Sequence, residues 1–291
     1  MTEEHEQKAA EQAASYIVRH GAMRYLGVFS APNGLTIQRG DTVITGTERG
    51  TEVGTVLSPA TPQAVAALPD PTRGEIFRLA TAEDEHRIAE LSLLQARQYD
   101  ISTSLVKGHR LAMQIVDVEH LFGGERLLFY FLAEQRVDFR DLVKSLAREF
   151  HTRIELRQIG PREEAKIKAD YGDCGRPVCC NSFLVEMPQI SMRMAKLQKS
   201  TLDPNKISGR CGRLKCCLRY EQDVYEIHQS ELPAIGTRVV TTNGPGRVLA
   251  QEVLARRLLI EFEDGRRIPV PAAEVLSKIT PTGQDARGTT A

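Results

Sequence analysis

Six cysteines carry the most specific chemistry in this sequence, and they fall into two copies of one phrase. C-G-R-P-V-C-C begins at Cys174 and C-G-R-L-K-C-C begins at Cys211, so Cys174, Cys179 and Cys180 correspond to Cys211, Cys216 and Cys217. No cysteine lies outside the pair. Buried packing is the plainest use of a thiol, but Gly, Arg and Asp surround these rather than apolar neighbours. Disulfides suit an oxidising compartment and a defined geometry that adjacent cysteines do not readily reach. A thiol oxidoreductase or redox switch normally places C-x-x-C at a helix start, and that spacing is absent. Zinc held by four thiolates is a stronger rival, although six thiols do not divide into fours and the C-x2-C knuckle is missing.

The spacing favours an iron–sulfur cluster most, because each iron asks for one thiolate from a different direction. C-x4-C supplies two separated anchors, and the adjacent third cysteine projects elsewhere. A 4Fe-4S cube needs four ligands, so three per phrase leaves each copy one short unless ligands are shared or donated by another subunit. The glycine after each first cysteine lets the backbone approach closely. Arg176, Arg210, Arg213 and Lys215 could offset thiolate charge or serve as solvated surface groups.

Other candidate chemistry is weaker. Histidines 5, 20, 86, 109, 120, 151 and 228 show no metal-ligand spacing, and His228, nearest the second phrase, is the only weak candidate for an extra ligand. Gly46, Gly50 and Gly54 lack the G-K-[ST] ending of a phosphate loop, and no Ser-His-Asp set announces itself. No catalytic residue is assigned, and the chain reads as a non-enzyme. Arg148, Arg153, Arg157, Arg162, Lys166 and Lys168 could form a basic face for RNA, although Glu149, Glu155, Glu163 and Glu164 interleave with them.

The surrounding pattern predicts an α+β fold: a mainly antiparallel sheet with packed helices, a cysteine-rich module and a small C-terminal β-barrel-like unit or curled sheet. Residues 1–15 read as a disordered leader. Residues 16–110 read as an N-terminal β-rich region, a linker and a long helix. The β-structure is irregular over about 22–58, the linker is the proline-rich SPATPQAVAALPDPTRG, and the helix covers about 83–107 with Ile88, Leu91, Leu94, Ile101 and Leu105 on its apolar face. Residues 111–232 form the α+β core with both cysteine phrases. AMQIVDVEHL and RLLFYFLA make a hairpin, the second run covered on both faces; Asp138 caps a helix with Leu142 and Leu146 inward, and TRIELRQI is a strand with Ile154 and Leu156 inward. Ile190, Met194 and Leu197 share a face of a short helix between the copies. Residues 233–280 are the small β-unit, with Asp264-Gly265 as a hairpin turn, and 281–291 a disordered tail.

Composition is ordinary: 41% hydrophobic, 26% charged and a formal net charge of zero over 291 residues. Zero net charge argues against nucleic-acid binding by bulk electrostatics. No run approaches the roughly 20 apolar residues of a spanning helix, which argues against membrane insertion. The acidic, polar start MTEEHEQKAAEQAAS lacks the form of a secretory signal, so a reducing cytoplasm is the expected compartment.

GDCGRPVCCNSFL followed by ISMRMAKLQKSTLDPNKISGRCGRLKCCLRYEQDVYE resembles the RicT (YaaT) family of bacterial regulators, as does VDFRDLVKSLAREFHTRIELRQIGPREEAK upstream. The resemblance is nearly gap-free from about 126 to 230, looser before 110, and compatible over the last strands. It implies a cytoplasmic, non-enzymatic regulatory subunit, connected with sporulation and biofilm regulation, that joins RicA-like and RicF-like small helical proteins. The complex it implies carries two 4Fe-4S clusters and assists messenger RNA processing by ribonuclease Y. The family's motif cysteines fall on Cys174, Cys179, Cys180, Cys211, Cys216 and Cys217, with the remaining ligands from the partners.

Overall fold

A computed structural model describes residues 14–168, 171–185 and 189–279. Among them, those up to 185 together with 209–213 form one unit, and 189–208 with 214–279 form a second. Of the expected leader over 1–15, residues 1–13 lie outside the described residues, as does the tail over 281–291, and Ser15 already belongs to a strand.

The first unit begins with a closed five-stranded barrel. Its strands are β1 (Ser15–His20), β2 (Tyr25–Ser30), β3 (Thr42–Thr47), β4 (Gly50–Pro59) and β5 (Thr72–Leu79), in the order β1-β2-β5-β3-β4, with β1 also paired to β4. Val18, Phe29, Val43, Val56 and Ile76 fill it. This corrects two expectations at once: the N-terminal region is not an irregular β-structure, and it, not the C-terminal unit, holds the barrel. The proline-rich segment joins two strands of that barrel. It carries a short helix, α1 (Pro62–Ala66), whose N-cap Thr61 accepts a hydrogen bond from Ala64 N.

Behind β5 comes α2 (Ala82–Gly108). Thr81 Oγ1 accepts from Asp84 N at 3.3 Å while Asp84 Oδ2 accepts from Thr81 N at 2.7 Å, a reciprocal cap that satisfies donors the first turn leaves open. The long helix is as expected, and its inward line is so only in part: Ile88 and Leu105 of the expected face are half-buried. Leu91, Gln98, Ser102 and Val106 are buried, whereas Leu94 and Ile101 of the expected face are exposed. Polar partners decide this, since Gln98 meets His120 at 3.2 Å and Ser102 donates to Tyr99 O. Thr81→Ala is expected to cost about 1 kcal/mol of stability and Thr81→Ser much less, measured as the shift in urea midpoint of helical circular dichroism.

The hairpin of β6 (Gln114–His120) and β7 (Arg126–Leu132) forms as the sequence indicates. After α3 (Arg140–Phe150), β8 (Arg153–Gln158) pairs with β7 in parallel, because an intervening helix carries the chain back to the same end of the sheet. Arg140 N donates to Asp138 Oδ1 at 3.2 Å, so Asp138 satisfies a first-turn donor although Phe139 occupies the N-cap position. β7 is buried on both faces. Leu127, Phe129 and Phe131 pack with Leu142 and Leu146 of α3, while Leu128 and Tyr130 pack with Met23, Val116 and Ile159.

In the second unit, α6 (Met192–Leu197) and α7 (Pro204–Ile207) precede α8 (Cys217–Glu231); α4 (Pro161–Lys168) and α5 (Cys179–Ser182) belong to the first. Ala195 is the buried residue of α6, with Met194 and Leu197 half-buried, and Ile190 lies before the helix. Five strands follow: β9 (Arg238–Thr241), β10 (Gly244–Glu252), β11 (Arg257–Phe262), β12 (Arg267–Pro271) and β13 (Val275–Ile279). They form an antiparallel sheet in the order β12-β11-β10-β9-β13. The expected barrel-like closure is absent: β12 and β13 form opposite edges. Pro269 and Pro271 lie in β12, a position an edge strand tolerates because no further strand asks for their missing N–H. Asp264-Gly265 makes the expected turn between β11 and β12, with Gly265 at φ 80°. Among the described residues no helix is long and apolar enough to cross a membrane.

Candidate metal centre

The two cysteine phrases fold alike. In the first, Gly172 N donates to Arg176 O at 2.8 Å, Gly175 N donates to Gly172 O at 3.0 Å, and Tyr171 bridges to Pro177. In the second, Gly209 N donates to Arg213 O at 2.7 Å, Gly212 N donates to Gly209 O at 2.9 Å, and Ser208 bridges to Leu214. Each partner is the residue 37 places on. The glycine after the first cysteine is the pivot of both turns, Gly175 at φ 73° and Gly212 at φ 71°, a conformation that a side chain would strain. Each loop then runs into a helix: Cys179 and Cys180 open α5, and Cys216 is the N-cap of α8 with Cys217 as its first residue.

Cys174, Cys179, Cys180 and Cys211 lie in the first unit, where Arg210 Nε donates to Tyr171 O at 3.0 Å and sets the second turn beside the start of the first loop. Cys216 and Cys217 lie in the second unit. Cys174 is exposed, Cys180 is buried at the head of α5, and the other four are half-buried; no disulfide joins any of the six. Burial pushes the Cys217 thiol pKa up, reinforced by neighbouring Cys216 and Glu221. Metal binding there would have to displace a firmly held proton.

Six thiols in matched loops are of the right chemistry for an iron–sulfur or zinc centre. Their arrangement is incomplete, because among the described residues no three Cys, His, Asp or Glu side chains converge as a metal-binding group. His228 does not join a thiol set; its Nδ1 lies 3.9 Å from Glu231 on the same helix. The expected basic face also divides. Arg157, Arg162 and Lys166 line one cavity in the first unit, which Arg148 and Arg153 do not line, and Lys168 sits over the Tyr99 ring.

A buried charged network escaped the sequence reading altogether. Arg49, on the turn between β3 and β4, lies 2.5 Å from Glu119 Oε2 and 3.5 Å from Glu52 Oε1. Tyr130 donates to Glu119 at 2.6 Å, Thr47 donates to Glu52 at 2.6 Å, and His20 Nδ1 lies 3.1 Å from Glu52. The participants come from β1, β3–β4, β6 and β7, so no local spacing reports them. Burial raises the Glu52 carboxyl, but the hydrogen bond from His20, the charge of Arg49 and the hydrogen bond from Thr47 outweigh it and hold its pKa below the ordinary value.

Residues 74–159, from β5 through β8, match the PSP1 C-terminal conserved region, and residues 189–232, from before α6 through α8, match the third domain of PSP1-like proteins. The α+β layer and the segment with the second cysteine phrase are thus similar to regions found in PSP1-like proteins. Stage 0 sporulation protein YaaT of Bacillus subtilis (strain 168) is 43% identical over 237 residues, covering 81% of this chain and 86% of that protein. This chain belongs to the YaaT (RicT) family. Shorter likenesses reach yeasts. An uncharacterized Schizosaccharomyces pombe protein is 30% identical over 79 residues, 27% of this chain and 10% of that protein. Protein PSP1 of Saccharomyces cerevisiae is 43% identical over 50 residues, 17% of this chain and 6% of that protein. No solved structure matches.

Proposed function

We propose that this chain is a non-enzymatic regulatory and scaffolding subunit of a cytoplasmic iron–sulfur complex that assists ribonuclease-dependent messenger RNA processing. Cys174, Cys179, Cys180, Cys211, Cys216 and Cys217 would supply thiolates to 4Fe-4S clusters, with the remaining ligands from RicA-like and RicF-like small helical partners. The observation that carries this reading is the repeated loop: two turns with the same hydrogen bonds present three cysteines each. The exposed strip of Tyr220, Val224 and Ile227 along α8, directly after the second thiol set, also suits a helical partner. Membership of a family that includes a sporulation protein supports a regulatory role.

Anaerobic co-purification with native partners, followed by iron, zinc and acid-labile sulfide analysis, tests the reading. Iron with equimolar sulfide is the expected result, and Cys179→Ser and Cys216→Ser should each lower both by at least half while the complex still forms. Zinc without sulfide would instead favour a zinc-containing RNA-binding module. Metal-free, alkylatable thiols in the intact complex would favour a thiol switch. Full iron and sulfide in both variants would remove these cysteines from the ligand set.

A further inference from the structure

The neutral total charge hides a strongly basic cavity of about 760 Å³, formed entirely within the first unit. Seven basic side chains and two carboxylates, Asp70 and Glu163, are among its lining residues. Arg19, Arg24, Arg39, Arg157, Lys166 and Arg213 reach it from β1, the β1–β2 turn, the loop before β3, β8, α4 and the second cysteine turn. No ion pair engages any of these six among the described residues. Arg24 donates instead to Asn181 O at 3.2 Å, and Arg157 donates to the Tyr25 hydroxyl. Elsewhere on this chain arginines commonly do meet carboxylates, as Arg126 does Glu155 and Arg256 does Glu231. Burial, and then the like charge of Arg19, lower the Arg24 guanidinium pKa, so positive charge here is partly desolvated and faces more positive charge.

Such a concentration of cations attracts an anion, and guanidinium groups match phosphate oxygens in geometry as well as charge. The cavity wall is not uniformly polar. Met23, Leu26 and Phe183 line it as well, and Phe183 is 51% exposed. An apolar ring beside several arginines suits a ligand with a flat base and a phosphate, and the volume lies within the roughly 300–1,000 Å³ of small-molecule sites.

We propose that this cavity binds a nucleoside phosphate, with the phosphate on the arginines and the base against the apolar wall. Cys180 of the first cysteine loop also lines the cavity, but the phosphate contacts inferred are to arginines and not to thiols. The same chemistry is offered by a free nucleotide or by the phosphorylated 5′ end of a single strand. Equilibrium dialysis of the full chain with ATP, inorganic pyrophosphate, 5′-phosphorylated tetrauridylate and its 5′-hydroxyl counterpart separates them. The expected result is saturable binding of ATP or of the 5′-phosphorylated strand, tighter than pyrophosphate and weakening as salt rises. ATP alone would identify a free-nucleotide site, and the strand alone a strand-end site. Arg24→Gln with Arg157→Gln should weaken that binding at least tenfold. Arg19→Gln with Arg39→Gln provides a second charge-removal pair should the first alter the fold, as judged by circular dichroism. Phe183→Ala should weaken ATP or strand binding and leave pyrophosphate unchanged. The proposal is overturned if neither nucleotide probe saturates, if pyrophosphate binds as tightly as both, or if folded charge-removal variants bind undiminished.

Discussion

Arg49→Met is expected to destabilise the protein by about 3–5 kcal/mol, the range for removing one partner from a buried ion pair. Glu52 and Glu119 side chains are only 2% and 9% exposed, and Arg49 is the cation placed between them. Methionine replaces much of the aliphatic stem but leaves two carboxylates in a poorly solvated region. Arg49→Lys keeps the charge and should lose less, because an ammonium cannot span both carboxylates as the guanidinium does. Urea denaturation of the full chain, followed by circular dichroism at pH 7, reads the difference. The pH dependence has a definite sign. A folded pKa held low, as for Glu52, contributes stability that is present above the unfolded carboxylate value and lost as pH falls through the folded one. The gap between wild type and Arg49→Met should therefore narrow on acidification from pH 7 toward that folded value. A variant within about 0.5 kcal/mol of wild type at pH 7, the range of an ordinary surface substitution, would show that the network contributes little.

The sequence exposes what is local and hides what is assembled from a distance. The apolar run Leu127–Phe131 announces a doubly covered strand, and Asp264-Gly265 announces its turn, because in each case neighbouring residues determine the outcome. The repeated cysteine phrase likewise predicts a repeated fold, since glycine placement and a short-range hydrogen bond shape each turn. The helix α2 shows where locality fails. Its length follows from composition and caps, but the buried line follows Gln98 and Ser102, whose partners a hydropathy pattern does not register. The basic cavity and the Arg49 network lie further beyond reach, since their residues are scattered over much of the first unit. Barrel closure is the extreme case. It depends on β2 and β5 pairing in parallel across more than 40 intervening residues, and no alternation of side chains encodes that partner.

Gly74→Val is expected to open that barrel. Gly74 lies in β5 opposite Phe29 of β2, where the parallel seam and the antiparallel seam to β3 run side by side. A Cβ at this position would collide with the carbonyl oxygen of Gly46 and lie 2.6 Å from the Phe29 ring. The ring could turn. The carbonyl belongs to β3, and moving it disturbs the ladder that closes the barrel. Gly27 marks the same seam, because a Cβ there would lie 2.7 Å from Thr72 O. Overpacking usually costs about 1–3 kcal/mol, and an obstruction against backbone with two further valine methyls belongs at or above the top of that range. Gly108→Ala is the contrasting substitution, since nothing lies within 4 Å of its Cβ site. Amide hydrogen exchange can localise the effect: Gly74→Val should strip protection from β2, β3 and β5, while Gly108→Ala leaves them protected. Undiminished protection in those three strands of the valine variant would mean that the glycine is not what lets the barrel close.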